Sequence, residues 1–256
     1  MTIAEALQRF TESRRLNPTV QSTDHLQAIS PTLLLLERYF SHEADLSEIT
    51  PVRLRDFVAR WYVEEASSLR LTGAEKVEDS VEDDWIGTGY SCQTRIPPEP
   101  MELLAELGRF FNWMQIQTGT GNANGCLSVL DELGETLPQA LEINHSLSTL
   151  FQERHSAFSF PEFLTSFEEG GSSQYDIDEP GSIGAVDGFF RILRIEGKWA
   201  EAEEVISGER ISPIIFPNEV AKMLDNEYVI NLEIVRDHES WKITGCGFTY
   251  PPGTEF

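Results

Sequence analysis

Thr50-Pro51 opens a stretch in which Leu54, Phe57, Val58, Trp61 and Tyr62 recur at i, i+3, i+4, i+7 and i+8. That spacing lays apolar side chains along one face of an α-helix. The threonine hydroxyl can accept from the unpartnered N–H groups of the first turn, and proline fits the first helical position because its missing N–H would be idle there. Ser30-Pro31 repeats the signal and predicts a helix over 31–42, with Leu33, Leu34, Leu36 and Phe40 on its buried side. Pro97-Pro98-Glu99-Pro100 predicts a rigid entry into a third helix over 101–117. Its broad apolar face is Leu103, Leu104, Leu107, Phe110, Phe111 and Met114, and Gly108 interrupts it where a partner could come close. The glycine-rich run 119–125 then breaks the chain. Two shorter helices are expected after it, one over 126–133 and one over 137–154 behind a Thr136 cap.

The pattern changes near the middle of the chain. Residues 161–182 lose periodicity and contain Gly170-Gly171-Ser172-Ser173 and Glu179-Pro180-Gly181, the composition of a flexible connection. Beyond them the period becomes two, with Tyr228, Ile230, Leu232 and Ile234 alternating against Val229, Asn231, Glu233 and Val235. Residues 241–250 complete a hairpin after the polar run 237–240. Residues 189–195, 200–206 and 211–216 read as further strands, with a helical turn at 218–224. Five short strands in so little chain suggest a curled sheet or small barrel of SH3 or OB size, since closure removes exposed edges. The pattern does not choose between those topologies.

The expected fold class is therefore α+β in two segregated parts, an N-terminal all-helical bundle and a small C-terminal β-barrel-like domain. Residues 1–160 form the helical domain with a long acidic loop at 64–97, residues 161–182 an acidic Gly/Ser linker, and residues 183–256 the β-rich domain.

Charge narrows the functions open to this architecture. The 256 residues carry 43 acids against 19 bases, a formal charge of −24. Residues 1–62 are nearly neutral, with 8 acids and 7 arginines, whereas 161–188 hold 7 acids and no base. Affinity for nucleic acid and for anionic membranes rests on neutralising phosphates, so this field disfavours both and favours a protein partner. The longest aliphatic run is Leu33-Leu34-Leu35-Leu36, against the roughly 20 apolar residues that span a bilayer. Cys92, Cys126 and Cys246 are odd in number and widely scattered, which points to a reducing, cytoplasmic setting and to neither a disulfide framework nor a CxxC zinc knuckle.

Three stretches within residues 26–117 carry a resemblance: 33–40, Leu46-Ser47-Glu48-Ile49-Thr50-Pro51-Val52-Arg53-Leu54-Arg55-Asp56-Phe57, and 103–113 ending in Arg109-Phe110-Phe111-Asn112-Trp113. Together they resemble the helical core-binding (SAM-like) domain of phage-type tyrosine recombinases, over a little more than a third of the chain. The resemblance implies a helical domain of DNA-binding ancestry. It does not extend to strand cleavage, because no histidine is followed three residues later by arginine and no catalytic module follows residue 120. The connection from Glu64 to Pro97 is also longer and more acidic than that family's pattern.

No local motif marks an enzyme, a cofactor or a metal. Glycines 119–125 lack the Lys-Ser/Thr end of a P-loop and follow a helix where a dinucleotide fingerprint follows a strand. Asp176-x-Asp178-x-Pro180-Gly181 with Asp187 copies an EF-hand loop only in part, since Pro180 replaces a ligand and Asp187 the usual glutamate. Adjacent carboxylates such as Glu64/Glu65 and Asp83/Asp84 read as solvated. The sequence thus favours a non-catalytic interaction or scaffolding protein. Two surfaces stand out. Trp199, Trp241, Phe248 and Tyr250 could grip a partner from the β-domain. Arg53, Arg55 and Arg60 could reach phosphates if the protein is a DNA-associated factor related to mobile-element recombinases, though Asp56 stands at ion-pairing distance from two of them. An enzyme with a site assembled in an interdomain cleft is the remaining alternative.

Overall fold

The computed structural model describes residues 1–15, 30–71, 97–119, 122–154 and 184–256. They are helical in the N-terminal half and form a five-stranded sheet at the C-terminal end. They make two compact units, one of residues 1–138 with Glu255 and one of residues 139–254 with Phe256.

The helical unit begins with an element that the sequence reading passes over. Thr2 and Glu5 satisfy each other reciprocally: the Glu5 N–H donates to the Thr2 hydroxyl at 3.2 Å and the Thr2 N–H to the Glu5 carboxylate at 3.1 Å. This capping box starts α1 (Ile3–Arg15), whose Ile3, Ala6, Leu7 and Phe10 are buried. The Ser30 hydroxyl accepts from the Leu33 N–H at 3.4 Å and opens α2 (Pro31–Phe40). That helix stops two residues early, at Ser41 with φ 72°, and buries Leu33, Leu36 and Phe40 while Leu34 stays half-buried.

The Thr50 hydroxyl accepts from the Arg53 N–H at 3.3 Å and starts α3 (Pro51–Arg55). The chain continues through a π-helical turn at Asp56–Trp61 into α4 (Tyr62–Leu71), with the Tyr62 N–H donating five residues back to the Phe57 carbonyl. Leu54, Phe57, Val58 and Tyr62 are buried as their spacing requires. The acidic loop expected from residue 64 therefore starts later, because Glu64 and Glu65 belong to α4; its remainder, 72–96, lies outside the described residues. The Tyr62 hydroxyl donates to the Pro98 carbonyl at 2.5 Å and fixes the entry to α5 (Pro100–Thr118). All six apolar positions expected on α5 are buried, but a Cβ at Gly108 would meet nothing within 4 Å. The close approach is elsewhere.

It occurs at Gly125, inside α6 (Asn122–Arg154), a single helix where the sequence suggested a glycine-rich break and two helices. The Thr136 hydroxyl donates to the Glu132 carbonyl at 3.4 Å instead of capping a new start. Pro138 lacks an N–H for the carbonyl of Gly134, yet the helix runs on through it. A Cβ at Gly125 would lie 2.6 Å from Cγ of Pro51, a rigid ring that cannot swing aside. Helix propensity alone would make Gly→Ala worth up to about 1 kcal/mol of stability at an interior position. Gly134→Ala, with nothing within 4 Å of the new methyl, should show that gain. Gly125→Ala should instead lose about 1–3 kcal/mol by overpacking, so urea denaturation of the pair should give opposite signs.

The second unit contains the C-terminal half of α6 and the strands β1 (Ala185–Glu196), β2 (Trp199–Glu204), β3 (Arg210–Ile215), β4 (Val229–Asp237) and β5 (Ser240–Tyr250). A short helix, α7 (Asn218–Met223), joins β3 to β4. The pairings close a ring in the order β1-β2-β3-β5-β4, all antiparallel except β3 with β5. Period-two alternation puts Phe190, Ile192, Ala200, Ala202, Ile230, Leu232 and Ile234 inside. Ala140, Ile143, Leu147 and Phe151, one stripe of α6, complete that same core. The sequence put the change of domain at 161–182, which lies outside the described residues; the structure puts the last helical stripe before it with the strands.

Candidate functional site

Trp199 is the first residue of β2, following the tight turn Gly197-Lys198, and its indole is 41% exposed. Strand alternation explains why: Ala200 and Ala202 point inward, so Trp199, Glu201 and Glu203 share the outer face. Beside the indole lies an open depression of about 380 Å³, lined by Arg194 and Glu196 of β1, Trp199, Ala200 and Glu201 of β2, and Ser212 and Pro213 of β3. Lys198 holds its ammonium 5.4 Å from the indole centroid, within cation–π range. Arg194 pairs with Glu196, and Arg210 stands 4.0 Å from both Glu201 and Glu203. These pairs are exposed, so solvent screens them.

Trp241 lies across β3 from Trp199. The register runs Trp199 to Ile215 and Ile215 to Lys242, with Trp241 paired to Ile214 and to Arg236. Its ring is half-buried against the core and carries the Arg236 guanidinium at 5.9 Å. Lys242 next to it is ion-paired with Asp237. Phe248 and Tyr250 are at the other end of β5, about 30 Å of extended chain from its start. There Tyr250 is buried and meets Phe189 at 6.1 Å, Phe256 at 4.9 Å and Phe248 at 6.3 Å. Of the four aromatic residues singled out in the sequence, Trp199 alone therefore faces solvent, Trp241 and Phe248 are half-buried, and Tyr250 is buried. Composition could not separate them; register does.

The three candidate DNA-contacting arginines all stand against carboxylates. Arg53 donates to Glu48 at 2.8 Å and lies 4.7 Å over the Phe40 ring, Arg55 pairs with Glu132, and Arg60 is 3.7 Å from both Asp56 and Glu64. Asp56 also accepts from the Tyr39 hydroxyl, and burial together with that carboxylate pushes the Tyr39 phenol up to about 12. Glu65 is held by Arg38 at 2.9 Å.

The remaining sequence motifs have local explanations. Gly119 caps α5 in the left-handed conformation at φ 61°, and the start of α6 is occupied by Ser47, whose carbonyl accepts from Asn122, and by Pro51. Asp187, the last position of the EF-hand-like run, is in β1 opposite Glu233, and residues 176–183 lie outside the described ones. Burial pushes the Cys126 thiol up to about 11 and the Cys246 thiol up to about 12, so neither is a thiolate nucleophile near neutral pH. Cys92 lies outside the described residues. Among the described residues no three His, Cys, Asp or Glu side chains gather in a way that could hold a metal ion, and no helix is long and apolar enough to cross a membrane.

No family model, curated protein or solved structure matches this chain.

Proposed function

We propose that this is a non-catalytic, cytoplasmic interaction protein that holds a protein partner on the outer face of its β unit, at Trp199. The observation that carries the reading is an indole 41% exposed at the edge of a depression of about 380 Å³, in a sheet whose other large aromatic residues are packed or half-buried. Trp is costly to leave in water and is among the residues that most often anchor interfaces. The strand order supports an OB-like barrel as the scaffold: β3 beside β5 and β4 beside β1 is a Greek-key crossing, which an up-and-down meander lacks. OB barrels engage ligands over strands 2 and 3 and the loops after β1 and β4, and Trp199 stands in that region. Glu201 and Glu203 share its face and oppose phosphates, which favours a polypeptide over a nucleic acid.

An array of random twelve-residue peptides and single-stranded oligonucleotides, probed with the full chain and with Trp199→Ala, tests this. Peptides retained by the wild type and lost by the variant are the expected result. Retention of oligonucleotides only, or of peptides indifferent to Trp199, would overturn it.

A further inference from the structure

We infer that the ligand at Trp199 is a basic peptide segment, with an arginine or lysine side chain lying on the indole and its charge taken by Glu196, Glu201 and Glu203. This rests on the interaction reading above and adds the chemistry of the partner. The Lys198 ammonium lies 5.4 Å from the indole centroid, so the ring face is placed where a cation can be held. Three carboxylates surround the depression or share its face, matched by three exchangeable cations: Arg194 pairs with Glu196, Arg210 is divided between Glu201 and Glu203 at 4.0 Å each, and Lys198 lies at the ring. With the Arg194 and Arg210 side chains both 68% exposed, an incoming guanidinium can displace either at little cost.

The acidic excess that favours a cationic ligand comes from the surroundings of the site. Residues 189–256 hold 12 acids against 7 bases, and the whole chain carries −24, a field that draws cationic segments toward the protein and repels polyanions. Pro213 gives the aliphatic stem of a long cationic side chain an apolar contact, and Ser212 offers a hydroxyl to peptide backbone. The internal Lys198 is then a competitor for the ring, and its removal has opposite consequences for cationic and anionic ligands.

Fluorescence anisotropy of a labelled (Gly-Arg-Gly-Ser)3 peptide, its Gly-Asp-Gly-Ser counterpart and a dT20 strand, titrated with the full chain, reads this directly. The basic peptide should bind. Lys198→Ala should tighten it about threefold by vacating the indole, Trp199→Ala should weaken it about tenfold, and the double variant Glu201→Gln with Glu203→Gln should weaken it about threefold at about 50 mM salt. Binding of the basic peptide that ignores Trp199→Ala is attraction to the acidic surface at large and overturns the inference. So does a failure of the basic peptide to bind at about 1 mM protein. Binding of the acidic peptide or dT20, weakened by both Lys198→Ala and Trp199→Ala, reverses the sign of the ligand. Neutral or acidic peptides lost by Trp199→Ala on the array would leave the interaction reading standing while this inference fails.

Discussion

Truncating Phe110 to alanine is expected to cost the helical unit about 3–5 kcal/mol. The side chain is fully buried on α5, where its ring meets Phe10 of α1 edge-on at 5.5 Å and 80° and Phe111 at 5.4 Å. Trp113 stacks on it at 6.1 Å, and Phe10 touches that indole as well, so the three rings form one cluster tying α1 to α5. Removing the central ring loses its transfer energy and also strands the faces of its neighbours, which stiff aromatic rings cannot collapse to fill. Urea denaturation followed by circular dichroism measures the loss. A change below about 1 kcal/mol would mean that α1 is not anchored through this cluster.

The second large effect is expected from Leu147→Ala, at about 2–5 kcal/mol, and its location is as informative as its size. Leu147 is fully buried in the core that Phe190, Ile192, Ile230 and Leu232 also form. Although it lies in the same helix as Cys126 and Leu130, its truncation should loosen the strands and leave residues 1–138 unaffected. Hydrogen exchange resolved by peptide should show faster exchange across β1 and β4 in the variant. Loss of protection confined to the N-terminal helices would refute the assignment of residues 139–154 to the β unit.

Elements whose boundaries are set by local chemistry were legible in the sequence. The Ser30-Pro31 and Thr50-Pro51 starts, the buried face of α5 and the alternation of β4 all stand where the residue pattern puts them. α1 carries an equally local signal, the Thr2/Glu5 capping box ahead of Ile3, Ala6, Leu7 and Phe10. α6 is different, because glycines and a proline are locally unfavourable in a helix and only packing outweighs them. Gly125 against Pro51 is such a contact, and no window of sequence around Gly125 contains Pro51. The candidate site was legible in part for the same reason. Trp199 and Trp241 were visible as residue types, but which of four aromatic residues faces water is decided by strand pairing across the ring.

α6 also has a consequence for how the protein is made. Synthesis proceeds from the N-terminus, so residues 139–154 leave the ribosome before β1 to β5 do. The stripe of Ala140, Ile143, Leu147 and Phe151 is then an apolar face of a helix whose cover has yet to emerge. For that interval the nascent chain presents a hydrophobic binding surface of its own, a target for chaperones that disappears once β5 has emerged and the strands pack on it.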